Sequence, residues 1–330
     1  MADGPLVVST SPPPPAFFEG VLPAGTRVAK VGQEGLLDVV AEAAVIIGDW
    51  EHQVRINRAV IEQAARCLLI QQPSAGYENI DIEAASEAGI PVANAGPANS
   101  AAVAEHAIML AIACLRHLPE ALTEGEGGGW SQADWIDRDL PELGSRSVGI
   151  LGLGSIGREV ALRLRPFGCE LLYSKRNRLE PADETALGVR YLDLESLLSQ
   201  SEILVVCLPL TVETRGLLDR ARLQRLPQGS VVINVARGDI MDYRALADLL
   251  RDGHLGGAGL DVYPVEPPPR GHELAGLPNT LLTPHYAGAT QQAKRNILVN
   301  SIDNVNAVLR GEEPRFIVNE VRRKASAPSA

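Results

Sequence analysis

The chain has 330 residues, 45% of them hydrophobic and 22% charged, with a formal net charge of −11. This exceeds the size at which one hydrophobic core usually keeps growing, so two domains are expected, and the acidic balance argues against a nucleic-acid partner, whose phosphates need clustered cations. No apolar run approaches the ~20 residues needed to span a bilayer, and the amino terminus, MADGPLVVSTSPPPP, lacks the basic-then-apolar order of a secretory signal. A cytosolic protein with no membrane partner is expected. Four cysteines, Cys67, Cys114, Cys169 and Cys207, lie far apart, with no C-x-x-C pair and no neighbouring histidine at ligand spacing. That spacing predicts buried free thiols and no metal site. Two small basic clusters interrupt the acidic balance, Lys175-Arg176-Asn177-Arg178 and Arg322-Arg323-Lys324, the second in an Ala/Ser/Pro tail of disordered composition.

From Pro5 to about Asn94 short apolar runs (LVVS from Leu6, AVIIG from Ala44, CLLIQ from Cys67, PVANA from Pro91) alternate with helical patterns near Gly35 to Glu42, Arg55 to Ala65 and Ile82 to Ala88. The alternation predicts parallel strands joined by crossover helices. The run Pro12 to Pro15 reads as a stiff surface turn. Ser100 to Leu118 is the longest apolar helical pattern, with Asn99 or Ser100 as its cap, and reads as a buried helix joining two domains. A glycine-rich connection from Glu124 to Leu143, bearing Trp130 and Trp135, reads as an arm or lid.

The stretch from Val148 to Gly157, VGILGLGSIG, is an apolar strand pattern running into Gly152-x-Gly154-x-x-Gly157, followed by a helical pattern with Ile156, Val160, Leu164 and Phe167 on one face. Glycines there let the backbone turn sharply and approach a pyrophosphate, whose charge the N–H groups of the helix start stabilise. Strand patterns then recur at Glu170 to Ser174, Ile203 to Pro209, Val231 to Ala236, Ala258 to Tyr263 and Leu281 to His285. Helical patterns lie at Leu194 to Leu198, near Arg220 to Leu226, and at Tyr243 to Arg251 before Gly253. A second sheet of at least six strands is expected. The last helical pattern, Gln291 to Leu309, has no later strand to pair with and is expected to return to the first domain. The fold class is therefore α/β, with two Rossmann-like or flavodoxin-like parallel-sheet domains: residues 1–99 plus 288–330, and residues 100–287.

Ligands of open α/β sheets bind beyond the carboxyl ends of the strands. Three chemically capable residues follow predicted strands: Arg237 after VVINVA, Glu266 five residues beyond Asp261, and His285 closing LLTPH. Singly, each has an ordinary explanation as a surface or salt-bridge residue; their recurrence on one rim of a nucleotide-binding sheet is what singles them out. Asp239 and Asp242 read as caps of the next helix.

With these residues in place, the chain resembles the D-isomer-specific 2-hydroxyacid dehydrogenases. The matching strings are VGILGLGSIG, CLPLTVETRGLL, INVARGDIMD, GAGLDVYPVEP and TPHYAGAT, with SAGYENIDIEAA and VAEHAIMLAIA extending the match into the first domain. The resemblance covers about Leu68 to Leu309. It implies a substrate domain built from both chain ends, a central dinucleotide domain, and catalysis in the cleft between them. It also implies that Arg237 binds the substrate carboxylate and polarises the carbonyl, that His285 is the acid/base, and that Glu266 is its carboxylate partner. Ala75 and Gly76 match backbone donors to the substrate carboxylate, and Asp261 the residue near the nicotinamide amide. Gly152, Gly154, Ser155, Ile156, Gly157, Leu208, Pro209, Thr214, Ala236 and Ala287 match the remaining cofactor contacts. The implied roles suit the chemistry, because hydride addition to a 2-oxo acid builds negative charge on the ketone oxygen, where an imidazolium and a guanidinium are useful. His106 reads as a structural or interface residue, and Tyr286 departs from the small or β-branched residue expected after the histidine.

An acid normally receives the adenosine ribose about 20 residues beyond the glycines; here the place reads Tyr173-Ser174-Lys175-Arg176-Asn177. Cations suit a 2′-phosphate, so Ser174, Lys175 and Arg176 are expected to favour NADP(H), with NAD(H) the alternative. The expected activity is reduction of a small 2-oxo acid of the glyoxylate or hydroxypyruvate type, with a D-3-phosphoglycerate dehydrogenase-like enzyme as the alternative. A nucleotide-sensing corepressor is the competing reading of another class. The resemblance further implies a homodimer whose contact surface is the Ser100 to Leu118 helix and the arm, with Trp130 or Trp135 reaching the partner's active site.

Overall fold

The computed structural model describes residues 4–10, 18–138 and 140–322; the polyproline run and the basic residues Arg323 and Lys324 lie outside them. The chain divides into two compact units, one running to Asn99 and resuming at Gln291, the other Ser100–Thr290. Residues 288–290 stay with the second unit, where the Ala289 N–H closes a turn on the Tyr286 carbonyl at 2.7 Å.

In the first unit the strands are β1 (Leu6–Ser9), β2 (Arg27–Lys30), β3 (Ala43–Ile47), β4 (Leu69–Gln71) and β5 (Val92–Ala93). They form one parallel sheet in the order β2-β1-β3-β4-β5, a flavodoxin-like arrangement. Alternate residues serve opposite faces, as the two-residue period of a strand requires. Leu6, Val8, Ile46, Ile70 and Val92 pack with residues of helices Gln33–Val39, Arg58–Gln63 and Ile82–Glu87, while Val7, Val45, Ile47 and Leu69 pack with Val305 and Val308 of helix Gln291–Leu309. The final helix thus belongs to the first unit. The edge strand β2 was not legible: RVAK has no apolar run, and its side chains are exposed or half-buried. The Arg55 to Ala65 pattern yields only helix Arg58–Gln63, because the Asn57 side chain accepts the Val60 N–H and starts the helix there.

In the second unit β6 (Ser147–Leu151), β7 (Glu170–Ser174), β8 (Val189–Tyr191), β9 (Ile203–Val206), β10 (Ser230–Asn234), β11 (Leu255–Leu260) and β12 (Thr280–Leu282) form a parallel sheet in the order β12-β11-β10-β9-β6-β7-β8. This is the doubly wound dinucleotide-fold order carried one strand further, and its chain reversal lies between β6 and β9. Ile203 and Val205 pack on one face with helices Ser100–Leu115 and Ser155–Leu164; Leu204 and Val206 pack on the other with Leu223, Leu246 and Leu249. Helix Ser100–Leu115 lies close on β11 through Gly259, where a Cβ would sit 2.7 Å from Leu110 Cβ.

Several expectations are corrected. The apolar helix stops at Leu115, not Leu118: His117 takes a left-handed φ of 47° and a second helix, Leu118–Glu126, carries Pro119 in its first turn, where a proline is tolerated but cannot continue the preceding helix. No single described helix is long and apolar enough to cross a membrane. The expected glycine-rich arm, Glu124 to Leu143, takes in the end of helix Leu118–Glu126 and the whole of helix Gln132–Asp137. The Glu124 carboxylate pins the connection by accepting the Ser131 N–H, the Ser131 hydroxyl and the Trp135 indole N–H at 2.6, 2.6 and 2.7 Å. Phe167 does not continue its predicted helical face: it lies in the short turn Arg165–Phe167, where Pro166 breaks the period, and is half exposed. Helix Pro181–Leu187 and β8 were missed, although Pro181 in the first turn and left-handed Gly188 at the end are start and stop signals. The cysteines are free, but only Cys114 is a fully buried residue; burial still pushes the thiols of Cys67, Cys114 and Cys207 up to about 12.

Leu110 is buried against β10 and β11, so Leu110→Ala should lower unfolding free energy by about 2–5 kcal/mol, lost transfer energy plus residual cavity. A urea midpoint within error of wild type would contradict this placement.

Candidate active site

β6 ends at Leu151 and the chain turns at Gly152, whose φ is +97°. A Cβ there would lie 2.8 Å from the Cys207 carbonyl oxygen and 2.9 Å from Leu208 N, so glycine is required by the close approach of the β9 loop at the sheet's reversal. Gly157 is required in a different way, since a Cβ would meet the Gly152 carbonyl oxygen at 2.3 Å. Gly154 differs from both. Its φ is −85° and a Cβ would meet nothing within 4 Å, so the protein's own packing leaves open space in front of it. No side chain caps helix Ser155–Leu164, and among the described residues no carbonyl takes the Ser155 or Ile156 N–H. An open glycine before an uncapped helix start fits a pyrophosphate.

Around this turn, Ser174 ends β7, buried, with Lys175 half-buried and Arg176 exposed. Arg178 is committed elsewhere: it pairs with Glu184 through two bonds of 2.8 and 2.9 Å and lies over the Tyr191 ring. Leu208 and Pro209 follow β9, and the Thr214 hydroxyl closes their loop by donating to the Pro209 carbonyl at 2.7 Å.

Arg237 follows β10. The ladder ends at Asn234, earlier than the expected Ala236, because the buried Asn234 side chain accepts the Ala236 N–H at 3.0 Å and donates to the Arg237 carbonyl at 3.0 Å. Asn234 therefore sets the Arg237 turn, a role that INVARG alone did not disclose. Gly238 presses on the neighbouring loop, where a Cβ would lie 2.0 Å from the Tyr263 carbonyl carbon, and this close approach brings the Arg237 turn beside the Glu266 loop. Asp242 caps helix Tyr243–Arg251 by accepting the Ala245 N–H, whereas Asp239 pairs with Arg215, which corrects its expected capping role.

Glu266 and His285 meet directly: His285 Nδ1 lies 2.6 Å from Glu266 Oε2, and Glu266 Oε1 accepts the Tyr263 N–H at 2.8 Å. Burial pushes the Glu266 carboxyl up, but the His285 bond, the Tyr263 N–H and the positive charges of His285 and Arg237 together outweigh it and hold the carboxyl below its usual range. Glu266 is therefore a carboxylate at neutral pH, and His285, with φ of 49°, occupies the left-handed region.

Asp261 is 2% exposed. Its Oδ1 accepts the Thr283 hydroxyl at 2.6 Å and the Tyr286 N–H at 3.0 Å, and its Oδ2 accepts the Ala287 N–H at 2.9 Å. His106, buried, places Nε2 3.1 Å from Thr283 Oγ1 and 3.6 Å from Asp261 Oδ1. Burial pushes its imidazole down against the weaker upward pull of Asp261. The Tyr286 ring stands edge-on to His106 at 5.0 Å. Ala236 and Ala287 are buried at the ends of their strands' loops. In the first unit, Ala75 and Gly76 follow β4, and neither N–H donates to an acceptor among the described residues. No group of three metal-ligating side chains occurs among the described residues.

The glycine contacts make opposite demands. Gly152→Ala should cost about 1–3 kcal/mol of stability through overpacking at positive φ, while Gly154→Ala should fold as wild type and weaken nicotinamide-dinucleotide binding by about 1–3 kcal/mol. Thermal melts beside fluorescence titration separate the two; a Gly154→Ala protein with unchanged affinity would contradict the open cradle.

Residues 108–287 match the family described as D-isomer specific 2-hydroxyacid dehydrogenase, NAD binding domain. The chain is 33% identical to a glyoxylate reductase of Pyrococcus furiosus over 91% of this chain and 89% of that one. It is 32% identical to formate dehydrogenase 2, mitochondrial, of Oryza sativa subsp. japonica over 83% of this chain and 72% of that one. Its fold is similar, with a TM-score of 0.82 and 27% identity over 98% of this chain and 99% of the other, to an NADPH-dependent glyoxylate/hydroxypyruvate reductase from Sinorhizobium meliloti in complex with NADP and malonate. With the glycine cradle and the Glu266–His285 pair on one parallel sheet, the chain belongs to the D-isomer specific 2-hydroxyacid dehydrogenase family and is an NAD(P)-dependent oxidoreductase.

Proposed function

We propose that the protein reduces a small 2-oxo acid of the glyoxylate or hydroxypyruvate type to the D-2-hydroxy acid, with NADP(H) as the preferred cofactor. The observation that carries this reading is the Glu266–His285 pair. Removing hydride from formate yields carbon dioxide and moves no proton at an oxygen, so a carboxylate-backed imidazole has no task there. Ketone reduction needs a proton at the developing alkoxide, and the pair supplies it.

When bound, the reduced nicotinamide supplies the hydride. His285, its Nδ1 held by Glu266, presents Nε2 as the proton donor to the carbonyl oxygen. Arg237 stabilises the negative charge on that oxygen and holds the substrate carboxylate, and the Ala75 and Gly76 N–H groups also serve the carboxylate. Gly152, Gly154, Ser155, Ile156 and Gly157 would hold the pyrophosphate. Leu208, Pro209, Thr214, Ala236 and Ala287 would flank the nucleoside and nicotinamide, with Asp261 near the amide. Ser174, Lys175 and Arg176 would receive the 2′-phosphate, a reading supported by the lack of any acid between Ser174 and Glu180. In this reading residues 1–99 with 291–330 bind substrate, and residues 100–290 bind the dinucleotide.

The same reading includes a cytosolic homodimer. Met109, Leu118, Leu122, Trp130 and Ile136 expose apolar side chains along the linking helix and arm, Trp130 at 88% and Ile136 at 71%, and such an apolar surface favours burial by a second copy. Trp135 is held within the arm by Glu124 and by Arg138 over its ring, which leaves Trp130 as the tryptophan that would reach the partner. Light scattering of the active enzyme should give twice the chain mass.

Initial rates of NADPH and NADH oxidation with glyoxylate, hydroxypyruvate, pyruvate, phenylpyruvate, 2-oxoglutarate and 3-phosphohydroxypyruvate test the substrate and cofactor together. Turnover of the small acids with NADPH preferred is expected; preference for the phosphorylated acid would move the reading to a phosphoglycerate dehydrogenase. Alanine at Ser174, Lys175 and Arg176 together should weaken NADPH binding far more than NADH binding. His285→Gln should lower kcat about 10²–10⁴-fold with cofactor affinity kept.

The lowered Glu266 carboxyl sets the sign of an acid effect. Its pairing is complete above the ordinary carboxylate range and is lost as pH falls through the lowered folded-state value. Activity should therefore fall on the acid side below that ordinary range, and Glu266→Gln should abolish this limb of the pH–rate profile. An unchanged limb in the variant would assign it to another group.

A further inference from the structure

Beyond the residues matched to the family, the loop that carries Ala75 and Gly76 is held by a hydrogen-bond relay that starts at His52. The Ser74 hydroxyl donates to the Gly76 carbonyl at 2.8 Å, which spends its one proton. Its oxygen then accepts from Gln72 Nε2 at 2.9 Å, and the orientation of that amide is fixed because Nε2 also donates to the Asp49 carbonyl at 2.8 Å. His52 Nε2 lies 2.7 Å from the same oxygen and bonds it. His52 Nδ1 faces Glu78 Oε2 at 3.4 Å. His52 itself has a φ of 56°, a left-handed conformation uncommon for a residue with a Cβ, and one that the surrounding loop must sustain. The far side of the turn is fixed by Asn94 Nδ2, which donates to the Ala75 carbonyl at 2.8 Å, and by the Ala95 N–H, which donates to the Ser74 carbonyl at 3.0 Å.

With its carbonyls and hydroxyl all engaged, the turn presents the two Ala75 and Gly76 N–H groups free of any acceptor among the described residues. We propose that His52 is a positioning residue for the substrate carboxylate: through its bond to Ser74 it fixes the Ser74-Ala75-Gly76 turn so that both N–H groups point at one anion. This rests on the reading that these N–H groups bind the carboxylate. His52 then acts on substrate affinity and not on proton transfer, because it reaches the carboxylate only through the turn.

The test compares His52→Ala, His52→Gln and Ser74→Ala with wild type, measuring kcat and KM for glyoxylate, NADPH affinity, and the affinity of the enzyme–NADPH complex for oxamate, a carboxylate that is not reduced. His52→Ala should raise KM and the oxamate Kd about tenfold, the scale of one lost hydrogen bond, with kcat and NADPH affinity unchanged. His52→Gln, which keeps a hydrogen-bonding group, should recover most of the loss, and His52→Ala combined with Ser74→Ala should be no worse than Ser74→Ala alone. The proposal is overturned if KM and oxamate affinity stay at wild-type values in His52→Ala, if the loss falls on kcat, or if His52→Gln is no better than alanine. Oxamate binding that responds to His52 in a wild-type enzyme reducing none of the 2-oxo acids would sink the reductase reading and leave this proposal standing. Normal reduction with oxamate affinity indifferent to His52 would do the reverse, and no oxamate binding by wild type would overturn the proposal.

Discussion

The histidine loop of the second unit depends on one buried carboxylate. Asp261 lies at the end of β11 almost without solvent, where an ionised group is costly unless its oxygens are satisfied. It is satisfied by the Thr283 hydroxyl and the N–H groups of Tyr286 and Ala287. Those three residues bracket His285 on both sides, so the bonds that compensate the buried oxygens also sustain the left-handed turn from which the imidazole reaches Glu266. Because the Thr283 proton goes to Asp261, its oxygen accepts from His106 Nε2, and the effect of burial on His106 suits a neutral imidazole in that place. Tyr286 fits the same arrangement: its N–H serves Asp261 and its ring closes over the edge of His106.

Much of this was legible because parallel sheets buried on both faces write themselves as short apolar runs. The runs around Val148, Ile203 and Val231 each contain residues for two cores, and they appear as strands near the expected places. Helices Tyr243–Arg251 and Gln291–Leu309 have the bounds their patterns predict. The two missed strands share a physical cause. β2 and β8 are edge strands whose side chains are mostly not buried, so no hydrophobic signal marked them. The arm's glycines read as loop, yet Glu124 supplies the hydrogen bonds that hold helices on either side of them.

At the site, the residue types and their positions after strands could be read, and the resemblance supplied roles. What sequence spacing could not supply was the set of residues that aim them. Asn234 turns Arg237 by bonding backbone on both sides of it, and Thr283 and Tyr263 hold the histidine loop. The partners of Thr283 and Tyr263 lie about twenty residues away, and such pairings exist only after the strands have been placed in order, whereas Asn234 closes on the two and three residues ahead of it.

The two units solve the same problem in related ways. In each, an imidazole Nε2 bonds a hydroxyl that also bonds a second acceptor: His52 with Ser74 and the Gly76 carbonyl, and His106 with Thr283 and the Asp261 carboxylate. A hydroxyl has one proton and two lone pairs, so committing the Thr283 proton to the Asp261 carboxylate fixes the direction of that relay. The result is a rigid turn at the end of a strand, made without the regular ladder that the strand has just given up. The relays differ in what they aim. The Thr283 relay places a side chain, His285, whereas the Ser74 relay leaves backbone N–H groups without an internal partner. An acid that must deliver a proton needs a fixed ring, and an anion site needs fixed donors free of competing acceptors; each relay meets one of these demands.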